Sequence, residues 1–135
     1  MKKLFAIIAL VFTTSLFGQV DSTNLLDGQI VYEAPEKPAQ FTGGDEAKMR
    51  YLKDNLKVPM QEEFQESLYA TFIIDTTGSI RNVFIVNPIY GDKLTPLETE
   101  YIRVINRMPK WIPAEQKGKK VCSRVRFPLK INLRR

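Results

Sequence analysis

The closing stretch, V-C-S-R-V-R-F-P-L-K-I-N-L from Val121 to Leu133, constrains the fold more than any other part of this chain. Val125, Phe127, Leu129, Ile131 and Leu133 recur at a spacing of two, while Arg124, Arg126, Pro128, Lys130 and Asn132 take the positions between them. Successive side chains of a strand point to opposite faces, so this alternation predicts a half-buried strand with an apolar face and a cationic one. Pro128 has no N–H to give to a ladder, which predicts that at least one side of the strand is an unpaired edge. Such an edge is anchored by its apolar face and leaves main-chain groups free for another chain. The pattern is equally compatible with a terminal strand whose charges and proline only guard it against aggregation.

The amino terminus reads as a secretory signal over residues 1–18: Lys2 and Lys3, an apolar run from Leu4 to Phe12, then Thr13-Thr14-Ser15-Leu16-Phe17-Gly18. The run falls short of the ~20 apolar residues that span a bilayer, so export is expected; an uncleaved segment holding the chain at the inner membrane is the alternative. Removing Lys2 and Lys3 takes the formal charge from +5 to +3. That excess is mild, with much of the basic charge at the C-terminal end, and nucleic-acid binding would call for a denser basic patch with stacking aromatics. Cys122 is the only cysteine, so no internal disulfide is expected. The chain has no histidine, which removes the commonest general base and a major metal ligand, and no serine or cysteine sits in a nucleophile motif. A binding role without cofactor or metal is therefore expected, not catalysis.

Residues 19–42 include the Pro and charge mixture Glu33 to Pro38 and are expected to form an extended, flexible arm with one short strand near Ile30–Tyr32. The domain proper is placed at 43–135. Gly43 and Gly44 let the chain turn into a helix whose first turn carries Asp45 and Glu46, with Met49, Leu52 and Leu56 as its apolar stripe and Pro59 as its stop. Gln61 to Glu66 reads as an acidic, solvated connector. Leu68–Asp75 and Ile80–Asn87 are two strands joined through Gly78, with a bulge expected near Arg81 and Asn82. Thr95, Pro96 and Glu98 make a capping box that opens a second helix. Its stripe is Leu97, Tyr101, Val104, Ile105 and Met108, and Pro109 ends it. Trp111, stiffened by Pro109 and Pro113, is expected to bury in the core, and residues 115–120 read as a polar turn. The expected architecture is α+β, in the order α-β-β-α-β: a small antiparallel three-stranded sheet with two helices packed on one face.

Taken together, P-A-Q-F-T-G-G-D-E-A (Pro38–Ala47), Y-L-K-D-N-L-K-V-P (Tyr51–Pro59), D-T-T-G-S-I (Asp75–Ile80) and M-P-K-W-I-P-A (Met108–Ala114) resemble the TonB C-terminal domain in the form seen in Bacteroidetes-type bacteria. The likeness runs from about Pro38 to Leu133, with Gly43, Gly44, Met108, Pro109, Trp111 and Pro113 as its structural motif. It implies a periplasmic module that engages outer-membrane receptors, whose TonB box adds as a strand beside the domain's last strand. On this chain the pairing residues would be Arg124, Val125, Arg126, Phe127, Leu129, Lys130, Ile131 and Asn132. The arm, at ~3.3–3.6 Å per residue, is short for a spacer across the periplasm, so an adaptor role stands beside energy-dependent transport. The rival expectation from the residues alone is a module that binds an anionic envelope partner through Arg124, Arg126, Lys130, Arg134 and Arg135. A free edge also allows a homodimer.

Overall fold

Why the closing strand can be so long follows from its neighbour. The computed structural model describes residues 25–58 and 64–133; the signal-like segment 1–18, Pro59, Gln61–Glu63, Arg134 and Arg135 lie outside these. In it the strand β3 (Phe64–Ile74) and the strand β6 (Lys119–Leu133) pair antiparallel without a break from Phe64↔Leu133 to Ile74↔Ser123. Both sequences alternate, so an unbroken register keeps Leu68, Ala70, Phe72 and Ile74 on the face that carries Phe127. β4 (Ile80–Ile85) folds back on β3 through the turn at 75–79. Asp75 closes this turn: its carboxylate accepts from Thr77 N, Thr77 Oγ1 and Ser79 N at 2.6–3.0 Å. Burial pushes the Asp75 carboxyl up, but these hydrogen bonds outweigh it and leave the group below its ordinary value. The expected bulge is present. The β3–β4 register shifts between Thr71 and Ile73, and Asn82 takes φ 55°.

The helices are α1 (Gly44–Asn55) and α2 (Pro96–Asn106). Gly43 caps α1 at φ 94°, where an added Cβ would lie 2.8 Å from the Ala47 Cβ. α2 opens with the complete capping box: Thr95 Oγ1 accepts from Glu98 N at 3.0 Å and Glu98 Oε1 accepts from Thr95 N at 2.8 Å. α2 buries Leu97, Tyr101, Val104 and Ile105 and α1 buries Leu52, all in one core with Phe41, Ile85, Met108 and Trp111. The sheet residues of this core, Leu68, Ala70, Phe72, Ile74 and Phe127, lie on one face, which the two helices share, while Thr71, Ile73 and Cys122 are buried on the opposite face.

The expectation of a three-stranded antiparallel sheet is wrong. The sheet has six strands among the described residues and is mixed, in the order β1-β2-β6-β3-β4 with β5 paired to β6. Three short strands account for the difference. β1 (Leu25–Leu26) and the start of β2 (Gln29–Tyr32) form a tight hairpin turned at Asp27 and Gly28, both at positive φ, in a small unit that ends at Ile30. In the larger unit, Val31 and Tyr32 continue β2 and pair parallel with Cys122 and Ser123. β5 (Ala114–Gln116), in the stretch read as a polar turn, pairs antiparallel with Lys119–Val121. Two- to four-residue strands carry too little alternation to stand out from polar surroundings. Phe64, Gln65 and Glu66, read as connector, likewise belong to β3.

Residues 36–42, taken from the sequence as part of a flexible arm, are hydrogen-bonded along 110–116. Lys37 and Glu115 exchange backbone bonds of 3.0 and 2.9 Å, Gln40 and Ile112 bonds of 3.0 and 2.8 Å, and Thr42 Oγ1 donates to Lys110 O at 2.7 Å. Phe41 thereby enters the core against Trp111, ring centroids 5.6 Å apart and edge to face.

Candidate functional site: the outward edge of the last strand

β6 is divided along its length by its neighbours. Lys119–Val121 pair with β5, Cys122 and Ser123 pair with β2, and from Arg124 to Leu133 the only paired strand among the described residues is β3. Which main-chain groups face outward follows from one hydrogen bond. Val86 N donates to Tyr69 O at 2.7 Å, so Tyr69 addresses the β4 side. Residues of a strand alternate the neighbour they address, hence Leu68, Ala70 and Phe72 turn their main chain to β6. Their register partners Leu129, Phe127 and Val125 return it. The intervening residues Arg126, Pro128, Lys130 and Asn132 address the opposite, outward side. Pro128 stands where its missing N–H costs the β3 ladder nothing, which is the physical sense of a proline inside this strand.

The inner face holds that edge in place. Phe127 is 4% exposed and packs against Phe72, Tyr101 and Trp111 at centroid distances of 5.8, 5.7 and 6.5 Å. Tyr101 Oη donates to Phe127 O at 2.9 Å, and burial pushes the phenol far above its ordinary value, so it remains a donor at any ordinary pH. Lys48 of α1 stands over the Phe127 ring at 5.2 Å. From the other face Thr71 Oγ1 donates to Val125 O at 3.1 Å. Val125 and Leu129 are half-buried beside the core.

The sequence-derived partner-binding residues thus fall on one element but on two faces. Val125, Phe127 and Leu129 are turned inward and serve as anchors. Arg124, Arg126 and Lys130 are turned to the outer face, with Arg124 half-buried and the other two exposed. Ile131 and Asn132 continue the strand backbone. The structural-motif residues lie elsewhere: Gly43 and Gly44 enter α1, while Met108, Pro109, Trp111 and Pro113 link α2 to β5. Trp111 is 5% exposed, as expected of a core residue; its Nε1 has no hydrogen-bond partner among the described residues.

Glu33 is the residue that reading the sequence missed. Its carboxylate accepts from Arg124 Nε at 3.0 Å and lies 3.3 Å from Arg126 Nη2, tying together the two guanidiniums where β2 leaves the edge. In the sequence Glu33 sits in a Pro and charge mixture, and only the parallel register of β2 reveals its position.

No family model matches the chain, and no curated protein matches it. Among the described residues no helix is long and apolar enough to cross a membrane. The six-stranded mixed sheet also carries more strands than the resemblance in the motifs implies.

Proposed function

We propose that this chain is a protein-binding module that accepts an extended segment of a partner as an added strand along the outward edge of β6, from Arg126 to Asn132. One observation carries this reading: beyond Ser123 the outward main-chain groups of β6 have no strand beside them among the described residues, while its inner face is locked into the core. Main-chain bonds would supply affinity and the flanking side chains selectivity. The resemblance of the motifs to the TonB C-terminal domain makes the partner the TonB box of an outer-membrane receptor. The site of action is then the periplasm, and the role is receptor engagement in energy-dependent transport or as an adaptor for it. Binding rather than catalysis fits a chain without histidine.

The rival reading, an anionic envelope partner held by charge alone, is weakened by Glu33, which already occupies Arg124 and Arg126. The discriminating variant is Lys130→Pro. It removes an outward N–H while leaving the β3 ladder intact, as Pro128 already does two residues earlier. Ile131 would be the wrong choice, because its main chain addresses β3 through the pair with Glu66. Capture of receptor plug domains from outer-membrane extracts is expected to be lost in Lys130→Pro. Equal capture by a Lys130→Pro chain whose circular dichroism matches the parent would overturn the reading.

A further inference from the structure

β2 lies in line with the strand that the open edge would accept, so what it does at its end is informative. It pairs with β6 only through Val31 and Tyr32, then departs at Glu33-Ala34-Pro35. Pro35 lacks an N–H and would interrupt a continuing ladder, so the sequence ends β2 at the point where the outward edge begins. At that point Glu33, 44% exposed, bridges Arg124 and Arg126, which share the outer face two residues apart. A strand neighbour on this edge therefore meets β6 through a carboxylate on its outer face. Lys130, exposed, continues the same row of cations.

Building on the reading of the edge given above, we propose that Glu33 is an intramolecular gate on it, and that the segment it yields to is acidic on its outer face. A guest strand seated from Arg126 onward places its alternate side chains beside Arg126 and Lys130. A carboxylate there competes with Glu33 for the Arg126 guanidinium. A neutral side chain at the same place leaves the Glu33 bridge undisturbed and gains nothing from the row of cations. Because the Glu33–Arg126 contact is solvent-exposed, it is weak enough to be exchanged and strong enough to bias the choice of guest.

Two synthetic eight-residue peptides test this, one alternating valine with glutamate and one alternating valine with glutamine, titrated calorimetrically into the whole protein. Glu33→Gln is expected to tighten binding of the glutamate peptide about threefold to fivefold, the upper part of what one exposed charge pair is worth, and to leave the glutamine peptide unchanged. Arg126→Gln, combined with Glu33→Gln, is expected to cancel that gain, as is 1 M salt, where the Debye length is about 3 Å. If the glutamine peptide binds but Glu33→Gln alters neither peptide, or alters both alike, the gate is refuted while the open edge stands. If neither peptide binds the parent or any variant, the open edge and the gate fall together.

Discussion

Gly78 and Trp111 meet closely enough to decide a stability experiment. Gly78 has φ 87°, its carbonyl accepts from Trp111 N at 2.9 Å, and a Cβ at this position would lie 2.1 Å from the Trp111 carbonyl oxygen. The β3–β4 turn therefore docks on the segment that places the tryptophan in the core. Gly118 supplies the control, with φ 75° and open space where its Cβ would be. Gly118→Ala incurs only the backbone strain, about 1 kcal/mol. Gly78→Ala adds a clash with backbone that cannot rotate away, and about 3 kcal/mol is expected. Urea unfolding of the two variants measures the difference; equal losses would show that the turn and the tryptophan segment are not locked together. A hairpin turn at Gly78 is legible in D-T-T-G-S-I, because the loop needs a positive φ. Its second function, close approach to a residue more than thirty positions later, leaves no mark in local sequence.

Among the elements, α2 is set by its amino-terminal turn and tied to α1 by a charge cluster. Thr95→Ala removes one half of the capping box and should cost about 1 kcal/mol, read by thermal or urea unfolding. Glu100 accepts from Arg103 Nε at 2.6 Å, Arg103 Nη2 at 2.8 Å and Lys57 N at 2.8 Å, so it fastens the end of α1 to α2. The Arg103 guanidinium foremost, with the Lys57 N–H, holds its carboxyl at about 2 against an ordinary 4.5. A depressed folded value means the contribution is whole above about pH 4.5 and is lost as pH falls through about 2. Glu100→Gln should therefore lose less of its stability than the parent between those two pH values, measured by urea midpoints across the range; parallel curves would remove Glu100 from the acid response. α2 and the long strands are visible in the sequence because each repeats its apolar period several times, and the Thr95–Glu98 box announces itself; the stripe expected of α1 keeps only Leu52 buried, with Met49 exposed and Leu56 beyond the helix. The clasp at Glu100 is not, since one exposed-looking glutamate on a helix resembles any other. Nor are β1 and β5, local hairpin strands of two or three residues too short to show an alternation, or the pairing of residues 36–42, whose backbone partners are distant in sequence.

For the molecule as a whole, an edge open to a guest is also open to a second copy, and the side chains bordering it decide between the two. A two-fold antiparallel pairing of β6 with β6 centred at Pro128 would set Arg126 of one copy opposite Lys130 of the other, twice over. Like charges directly opposite across a strand pair are unfavourable by about 0.2–1 kcal/mol each. Pro128 would face Pro128 with no N–H on either side. The same row of cations that favours an acidic guest thus opposes self-pairing, which is how edge strands commonly avoid aggregation. The expected state of the parent chain is monomeric in sedimentation velocity at low salt. Replacing both Arg126 and Lys130 by threonine should strengthen self-association about tenfold, because it removes both repulsive pairs and keeps a strand-forming surface. The same double variant should lose its preference for the glutamate peptide over the glutamine peptide, since the charges serve both ends. A parent that dimerises through β6 at low salt, or a double variant that stays monomeric while losing that preference, would separate the two roles and show that protection of the edge does not reside in Arg126 and Lys130.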